Sequence, residues 1–268
     1  MADGKMTRIE VTTEKHVLRV ALARPKMRNA FDLTTIEELT AVFSDAGISN
    51  TDIRVVVLTG HGESFCSGAD LSYMQSMAKF SRDENRADAD RLFSMFDAVR
   101  KCAVPVIVHI HGHAMGGAVG ITACADIALA ETGTQLRFSE VRLGILPAVI
   151  SSFVLQKMNA SWARRWMITG ELFDAAQAMN AGLVQFVGSV AEVEAEKARV
   201  IAAILEGGPK AVVMTRALLN ESGKASPSTV RGRRTDAMAE RRASGEGQEG
   251  LSAFLEKRIP NWRQKAKP

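Results

Sequence analysis

The stretch "VPVIVHIHGHAMGGAVG" (residues 104–120) joins a short apolar run to a glycine-rich turn. The run is rich in valine and isoleucine and ends at Gly112, which is typical of a strand buried on both faces. The glycines that follow lead into "AVGITACADI", which we expect to begin a helix whose first N–H groups have no helical acceptor. Glycine also lets a ligand approach the backbone closely. We therefore predict a strand, a turn and a helix N-terminus that can hold developing negative charge.

Three histidines, His109, His111 and His113, alternate through this stretch. In one strand they would project to the same face at about 6 to 7 Å spacing, which suits zinc only if the strand bends strongly. No other histidine has a partner at ligand spacing, so we predict no metal site and expect the three to pack or hydrogen-bond at the strand end. The stretch also lacks the endings of a phosphate loop or a dinucleotide fingerprint.

The same arrangement occurs earlier, in "IRVVVLTGHGESFCSGADLSYM" (residues 53–74). A buried strand again leads through glycines to a predicted helix start. Two such loops can converge on one oxygen as an oxyanion hole, in which one donor typically contributes about 10²- to 10³-fold in rate. Glycine-containing loops are also common as purely structural connections, so the catalytic and the structural interpretation both remain open at this point.

Strand and helix patterns alternate through the first two thirds of the chain. Strands are predicted at residues 17–25, where the pattern stops at a proline, and at 53–60, 104–112 and 127–130. Helices are predicted at 33–46 and 83–102, where Leu92, Phe93, Phe96 and Val99 share one face. This order predicts an α/β fold with largely parallel pairing. After residue 189 the strand patterns stop, and helices are predicted at residues 190–205, 209–223, 226–244 and 247–258.

Composition is that of a globular chain: 268 residues, 46% hydrophobic and 24% charged. There is no secretory pattern at the N-terminus, no apolar run of about 18 residues and no cysteine framework, which favours a cytoplasmic protein without a membrane partner. Net charge is +4, but basic residues gather at 231–242 and 257–267. These clusters suit nucleic acid, acidic lipid or a phosphorylated small molecule, or are solvated helix faces.

Six segments carry a family resemblance. They are "ARPKMRNAFD", "GHGESFCSGADL", "HGHAMGGAVGITACADIALA", "RFSEVRLGILPA", "RWMITGELFDAAQAMNAGLVQFV" and "EGLSAFLEKR". Their order and spacing, from about residue 8 to residue 262, resemble the crotonase (enoyl-CoA hydratase and isomerase) superfamily. The resemblance implies a spiral core of ββα units over residues 1–205, and a helical region over residues 206–268 for oligomerisation and coenzyme A contact. It also implies a trimer or a dimer of trimers.

The resemblance further implies an acyl-CoA substrate and no separate cofactor, since coenzyme A enters with the substrate. The thioester oxygen would accept the N–H groups of Ala69 and Gly117. Of the two glutamates that family hydratases use, one matches Glu140 and the other falls at Gly120, where a carboxylate is missing. A lone glutamate can serve a hydratase, by carrying one proton from water to carbon, or an isomerase. We expect a raised pKa for Glu140 in an apolar pocket formed by Phe138, Val141, Leu143 and Ile145.

Residues matching the family's substrate and coenzyme A contacts lie in several of these segments. Ser72 replaces a lysine of some relatives, which removes one phosphate contact. The matching residues are Lys26, Arg28, Ala30, Gly68, Asp70, Leu71, Gly116, Phe254 and Lys257.

We expect an enoyl-CoA hydratase. The segment "SEVRLGILPAVISSFVLQKM" resembles bacterial hydratases of methylglutaconyl-CoA and isohexenylglutaconyl-CoA, and Arg142 is a candidate partner for a second substrate carboxylate. One alternative is a Δ3,Δ2-enoyl-CoA isomerase that uses Glu140. Another is a non-catalytic member that binds acyl-CoA or RNA, but nucleic acid is not favoured because no aromatic residue interleaves with cluster 231–242 to stack a base.

Overall fold

The computed structural model describes residues 6–221 and 226–263. The chain divides into two compact units, Met1–Ala198 and Arg199–Pro268. The predicted roles of residues 1–205 and 206–268 stay predictions.

In the first unit the described residues form two sheets. Strand order in the larger sheet is 1-2-3-4-6-9, and strand order in the smaller one is 5-7-8. The strands are β1 (Ile9–Glu14), β2 (Val17–Leu22), β3 (Val55–Gly60), β4 (Val106–Ile110), β5 (His113–Met115), β6 (Ile127–Glu131), β7 (Gln135–Arg137), β8 (Phe173–Asp174) and β9 (Phe186–Gly188).

Pairing in the larger sheet is antiparallel between β1 and β2 and parallel at every other step. All of β4 and the first four residues of β3 are buried, as expected for valine- and isoleucine-rich strands covered on both faces. The α/β class and the parallel pairing predicted from the sequence are therefore confirmed.

Helices follow the strands and cover the sheets. They are α1 (Leu33–Asp45), α2 (Leu71–Met77), α3 (Arg82–Lys101), α4 (Gly117–Cys124), α5 (Ala148–Lys157), α6 (Ala160–Thr169), α7 (Ala175–Asn180), α8 (Val190–Glu206), α9 (Pro209–Asn220), α10 (Pro227–Ala243) and α11 (Gly245–Leu255). The predicted helices 33–46 and 83–102 are confirmed. The predicted face of α3 is partly wrong, because Phe93 is exposed and Met95 is buried instead.

The strand that carries the alternating histidines is shorter than predicted. It ends at Ile110, and Gly112 turns the chain out of the larger sheet into β5 of the smaller one. Gly112 has φ +57°, and an added Cβ would lie 1.9 Å from the carbonyl oxygen of Glu63. Glycine is thus required by both backbone conformation and space. The three histidines therefore do not share one strand face.

The four helices predicted after residue 189 correspond to α8, α9, α10 and α11, and residues 222 and 223 of the predicted helix 209–223 lie outside the described residues. The basic cluster 231–242 lies on α10, which has no buried residue; Arg233 lies 3.5 Å from Glu221, and Arg241 lies 3.2 Å from Glu246. In cluster 257–267, Arg258 contacts Glu249, and residues 264–267 lie outside the described residues. Pairing with glutamates favours the interpretation of solvated helix faces.

No helix within residues 6–221 and 226–263 combines the length and the apolar character needed to cross a bilayer.

Candidate functional site

The first glycine loop, Gly68–Asp70, lies beside Phe31. The Phe31 N–H donates to the carbonyl of Gly68 at 2.8 Å, and the Asp70 N–H donates to the carbonyl of Phe31 at 2.8 Å. Successive backbone groups alternate in direction along such a bridge. The N–H of Ala69 is therefore directed to the opposite side of the loop.

A charged network holds this loop from inside the protein. The Asp70 carboxylate is 4% exposed, caps α2 by accepting the N–H of Ser72, and pairs with Arg24 Nη2 at 2.9 Å. Arg24 also donates to the carbonyl of Ala30 at 2.7 Å. The Asn29 amide donates to two carbonyls of the preceding loop, at 2.8 Å each. The Asp70 side chain is thus committed to shaping the loop.

The second glycine loop, Gly116–Gly117, leads into α4. Gly116 has φ +54°, its N–H donates to the carbonyl of Arg137 at 2.9 Å, and Gly117 is the first helical residue. An N–H at this position has no helical acceptor and lies at the positive end of the helix. An added Cβ at Gly117 would lie 3.1 Å from the Phe31 ring, so the residue also packs closely.

The two loops lie side by side. Cys66 donates its N–H to the carbonyl of His113 at 3.0 Å, and Met115 donates to the carbonyl of Cys66 at 3.0 Å. A Cβ added at Gly68 would lie 3.4 Å from the carbonyl oxygen of Met115. The structure therefore brings together the two backbone segments on which the sequence places oxyanion donors.

Glu140 lies at the same place. It begins a short 3₁₀ helix, Glu140–Leu143, and its Oε1 is 3.5 Å from the position of a Cβ added at Gly116. Its Oε2 is buried and has no hydrogen-bond partner among the described residues. Burial raises the pKa of the Glu140 carboxyl, as expected from the sequence, although its own backbone N–H opposes the shift.

The surroundings of Glu140 differ in part from the prediction. Phe138 is fully buried and Val141 is half-buried, but Leu143 and Ile145 are more than half exposed. These two flank Gly144, whose φ of +73° turns the chain at the surface. The apolar pocket predicted from four residues is therefore wrong for Leu143 and Ile145 in this chain.

The structure leaves no room for a side chain at Gly120. An added Cβ would lie 2.6 Å from Ile150 Cγ2 and 2.9 Å from the Phe96 ring. Phe96 in turn packs against Phe153, with ring centroids 5.7 Å apart. An apolar wall thus fills the position of the missing carboxylate.

The predicted coenzyme A contacts fall into two groups. In the first unit Lys26, Arg28 and Leu71 are exposed, while Ala30 is buried. In the second unit Phe254 is 81% exposed and Lys257, with φ +55°, is exposed.

The histidines make hydrogen bonds, as predicted. His109 is buried, with Nε2 3.0 Å from Glu131 and Nδ1 3.3 Å from Lys197 Nζ; burial and the Lys197 charge hold its pKa below the usual range. His111 Nε2 donates to the carbonyl of Gly62. His113 Nδ1 lies 3.1 Å from Ser64 Oγ. Within the part of the chain that the structure describes, no group of three or more His, Cys, Asp or Glu could hold a metal ion.

Three residues that shape the site are not evident from the sequence. Arg24 and Asn29 hold the first loop, and Ile150 closes the space at Gly120. Arg24 and Asp70 are 46 positions apart, so no local spacing pattern links them. Nothing local in "RPKMRNAFD" singles out Asn29 either, because its φ of +55° and its buried side chain, which needs specific partners, are seen only in the folded chain.

Comparisons with known proteins give the family of this chain. A family model described as enoyl-CoA hydratase/isomerase matches residues 12–265. The crotonyl-CoA hydratase of Syntrophomonas wolfei is 29% identical, over 94% of this chain and 96% of that protein. The 2,3-dehydroadipyl-CoA hydratase of Escherichia coli K12 is 27% identical, over 96% of this chain and 99% of that protein.

Solved structures are similar as well. The crystal structure of an enoyl-CoA hydratase from Shewanella pealeana superimposes with a TM-score of 0.91 at 34% identity, over 96% of this chain and 97% of that one. Pseudomonas aeruginosa AtuE superimposes with a TM-score of 0.92 at 29% identity, over 96% of this chain and 100% of that one. The crotonase fold predicted from the sequence is confirmed.

Proposed function

The chain belongs to the enoyl-CoA hydratase/isomerase family, and we propose that it is a hydratase that adds or removes water across the 2,3 double bond of an enoyl-CoA. The observation that carries this proposal is the position of Glu140. Its carboxylate lies beside Gly116, where two glycine loops meet, and one of its oxygens, Oε2, is buried without a hydrogen-bond partner among the described residues. A base next to two backbone donors is the arrangement that thioester enolate chemistry requires.

The thioester oxygen accepts the N–H groups of Ala69 and Gly117. As the enolate forms, negative charge gathers on that oxygen, so the same two donors bind it more strongly than they bind the ground state. No ordered group has to reorganise, because one donor is held by the bridge to Phe31 and the other by the first turn of α4.

Glu140 moves the proton. Its carboxylate takes a proton from water, the resulting hydroxide forms a bond to the β carbon, and the double-bond electrons pass to the thioester oxygen. The enolate then collapses and takes the same proton from Glu140 at the α carbon, which restores the carboxylate. A pKa raised by burial suits both steps, since it makes the carboxylate a better base at the working pH.

The closed space at Gly120 favours a second candidate, the Δ3,Δ2-enoyl-CoA isomerase. An isomerase needs one base and no bound water, and Phe96 and Ile150 leave no room for another carboxylate to hold one. In that reaction Glu140 removes a proton from one carbon and returns it two carbons away.

The experiment compares the wild-type protein with Glu140→Gln on crotonyl-CoA and on 3-hexenoyl-CoA. We expect the variant to lose about 10²- to 10⁴-fold in kcat, the usual contribution of general acid–base catalysis, while it still binds butyryl-CoA. The 3-hydroxy product and the conjugated 2-enoyl product are followed separately.

Each outcome has a defined meaning. Formation of 3-hydroxybutyryl-CoA supports the hydratase, and conversion of the 3-enoyl ester to the 2-enoyl ester without a hydroxy product supports the isomerase. Full activity in Glu140→Gln would rule out this mechanism for both.

We also propose finer features of the protein. A branched or acidic glutaconyl-type ester as substrate rests on the resemblance of segment 139–158. Coenzyme A contacts at Lys26, Arg28 and Lys257 rest on exposed cations at family positions. Assembly as a trimer or dimer of trimers rests on the resemblance, and sedimentation velocity of the full chain tests it.

A further inference from the structure

Arg137 stands out among the basic residues near the candidate site. It is the last residue of β7, three positions before Glu140, and its carbonyl accepts the Gly116 N–H at 2.9 Å. Its Nε is buried and has no hydrogen-bond partner among the described residues. The cost of a buried donor without an acceptor is about 1–3 kcal/mol, so the protein forgoes stability here.

The strand register shows where the side chain leaves the backbone. Arg137 pairs with Met115 in parallel β5 and β7, and paired residues direct their side chains to the same face of a sheet. Met115 Cβ is 3.7 Å from the position of a Cβ added at Gly68. Arg137 therefore starts from the face on which the first glycine loop lies.

Neighbouring charges do not satisfy this arginine. Within residues 6–221 and 226–263, its Nε has no acceptor, although Glu140 lies close along the chain and also has a buried oxygen without a partner. Arg142 is different, because its Nε donates to the carbonyl of Gly170 at 2.7 Å. Of these two arginines, Arg137 is the one with an unused buried donor.

The position of Arg137 favours an acceptor on the acyl portion of the substrate over one on coenzyme A. The backbone carbonyl of Arg137 accepts the N–H of Gly116, the residue directly before the second candidate oxyanion donor, so the Arg137 side chain starts close to where the thioester would bind. The phosphates of coenzyme A are separated from the thioester by the whole pantetheine arm. A carboxylate pairs well with a guanidinium, whose planar N–H groups match its two oxygens.

We propose that Arg137 binds a second carboxylate on the acyl chain and so selects dicarboxylic acyl-CoA esters. This inference rests on the proposed function, since it takes an acyl-CoA as the substrate. It moves the predicted carboxylate partner from Arg142 to Arg137.

Binding of saturated esters tests this without catalysis. Glutaryl-CoA and butyryl-CoA differ by a terminal carboxylate, and neither has the double bond on which the enzyme acts. Calorimetry on the wild-type chain and on Arg137→Gln is expected to show tighter binding of glutaryl-CoA to the wild type. The preference of about 10-fold or more disappears in the variant, while butyryl-CoA binding changes less than about 3-fold.

Arg142→Gln is the matched arginine variant and is expected to keep the preference. Turnover of glutaconyl-CoA and crotonyl-CoA by Arg137→Gln gives a second readout, with selective loss on glutaconyl-CoA.

Several outcomes would overturn the proposal. One is an equal loss of turnover on both esters in Arg137→Gln. Another is an altered pH profile for both esters, which would mean that Arg137 acts through Glu140. A third is a selective loss of glutaryl-CoA binding in Arg142→Gln. Binding of both esters without any turnover contradicts the proposed function and leaves the selectivity measurable. Failure to bind either ester overturns the two together.

Discussion

The two glycine loops present the same group, one backbone N–H, but they are held by different forces. Gly68–Asp70 is held by ions: Arg24 pairs with Asp70 at 2.9 Å and with Asp32 at 3.2 Å. Gly116–Gly117 is held by packing: every residue of α4 from Ala118 to Cys124 is buried, and Gly120 touches Ile150 and Phe96.

The carboxyl groups at the two loops also differ in their partners. Asp70 on the first loop is fully partnered, whereas Glu140 beside the second loop has a buried oxygen without a partner. The two proposed oxyanion donors can therefore be disturbed independently. A charge change should disturb the first loop, and a volume change the second.

The largest effect is expected from Gly120→Glu, which disrupts the packing around the second loop. The new Cβ would overlap Ile150 and Phe96, and the carboxyl would be buried without a partner. Overpacking costs about 1–3 kcal/mol, and the buried carboxyl adds to it, so we expect a loss of about 4 kcal/mol or more. Thermal unfolding and yield of soluble protein measure it.

Smaller variants isolate the steric part. Gly120→Ala should cost about 1–3 kcal/mol, and less in the background Ile150→Ala, which removes the clashing methyl group. Gly232→Ala in α10 meets nothing within 4 Å and should stabilise its helix by about 0.5–1 kcal/mol. A Gly120→Glu protein as stable as the wild type would refute the packing account.

Arg24→Met removes the cation of the ion pairs that hold the first loop. It leaves Asp70 and Asp32 without their shared cation, and Arg24 is only 17% exposed. We expect a loss of about 2–4 kcal/mol, somewhat below that of a fully buried pair, and a fall in kcat/KM of about 10- to 100-fold as the Ala69 N–H moves. Chemical denaturation and steady-state kinetics measure the two effects.

Asp70→Asn is the matched variant of that pair. It should cost less than Arg24→Met, because the amide oxygen can still cap α2 and Arg24 keeps Asp32 and the Ala30 carbonyl. Equal losses, or no loss in Arg24→Met, would show that the first loop does not depend on its ions.

The smallest effect is a gain in stability from Glu140→Gln. Burial raises the pKa of Glu140, so folding favours the protonated acid. The penalty on the charged form is absent below the unfolded pKa of about 4.3, grows as the pH rises from there to the folded pKa, and is constant above it. Glutamine carries no charge, so Tm should rise at pH 7, by the equivalent of about 0.5–2 kcal/mol, and the gain should vanish near pH 4.

The sign of the change in Tm distinguishes the two loops. Neutralising Asp70 should lower Tm at pH 7, whereas neutralising Glu140 should raise it. A Tm for Glu140→Gln at or below that of the wild type at pH 7 would contradict an uncompensated carboxylate in the site.

Prediction from the sequence succeeded where the signal is local. Buried strands such as β3 and β4 show as runs of valine and isoleucine, and the late helices show as periodic segments between glycine and proline breaks. Prediction failed for the three-residue strands β5 and β7 and for the two-residue β8, because two or three residues are too few to show an alternating hydrophobic pattern. It also failed at Leu143 and Ile145, whose apolar character does not reveal the turn at Gly144.

The sequence by itself determined the α/β class, the family, the two glycine loops and the single glutamate at Glu140, since these depend on residue type and order along the chain. Only the tertiary structure decided that Arg24 holds the first loop, that Ile150 and Phe96 close the space at Gly120, and that Arg137 is left with a buried donor unused. These are relations between residues far apart in the chain, and distance and burial exist only once the chain has folded.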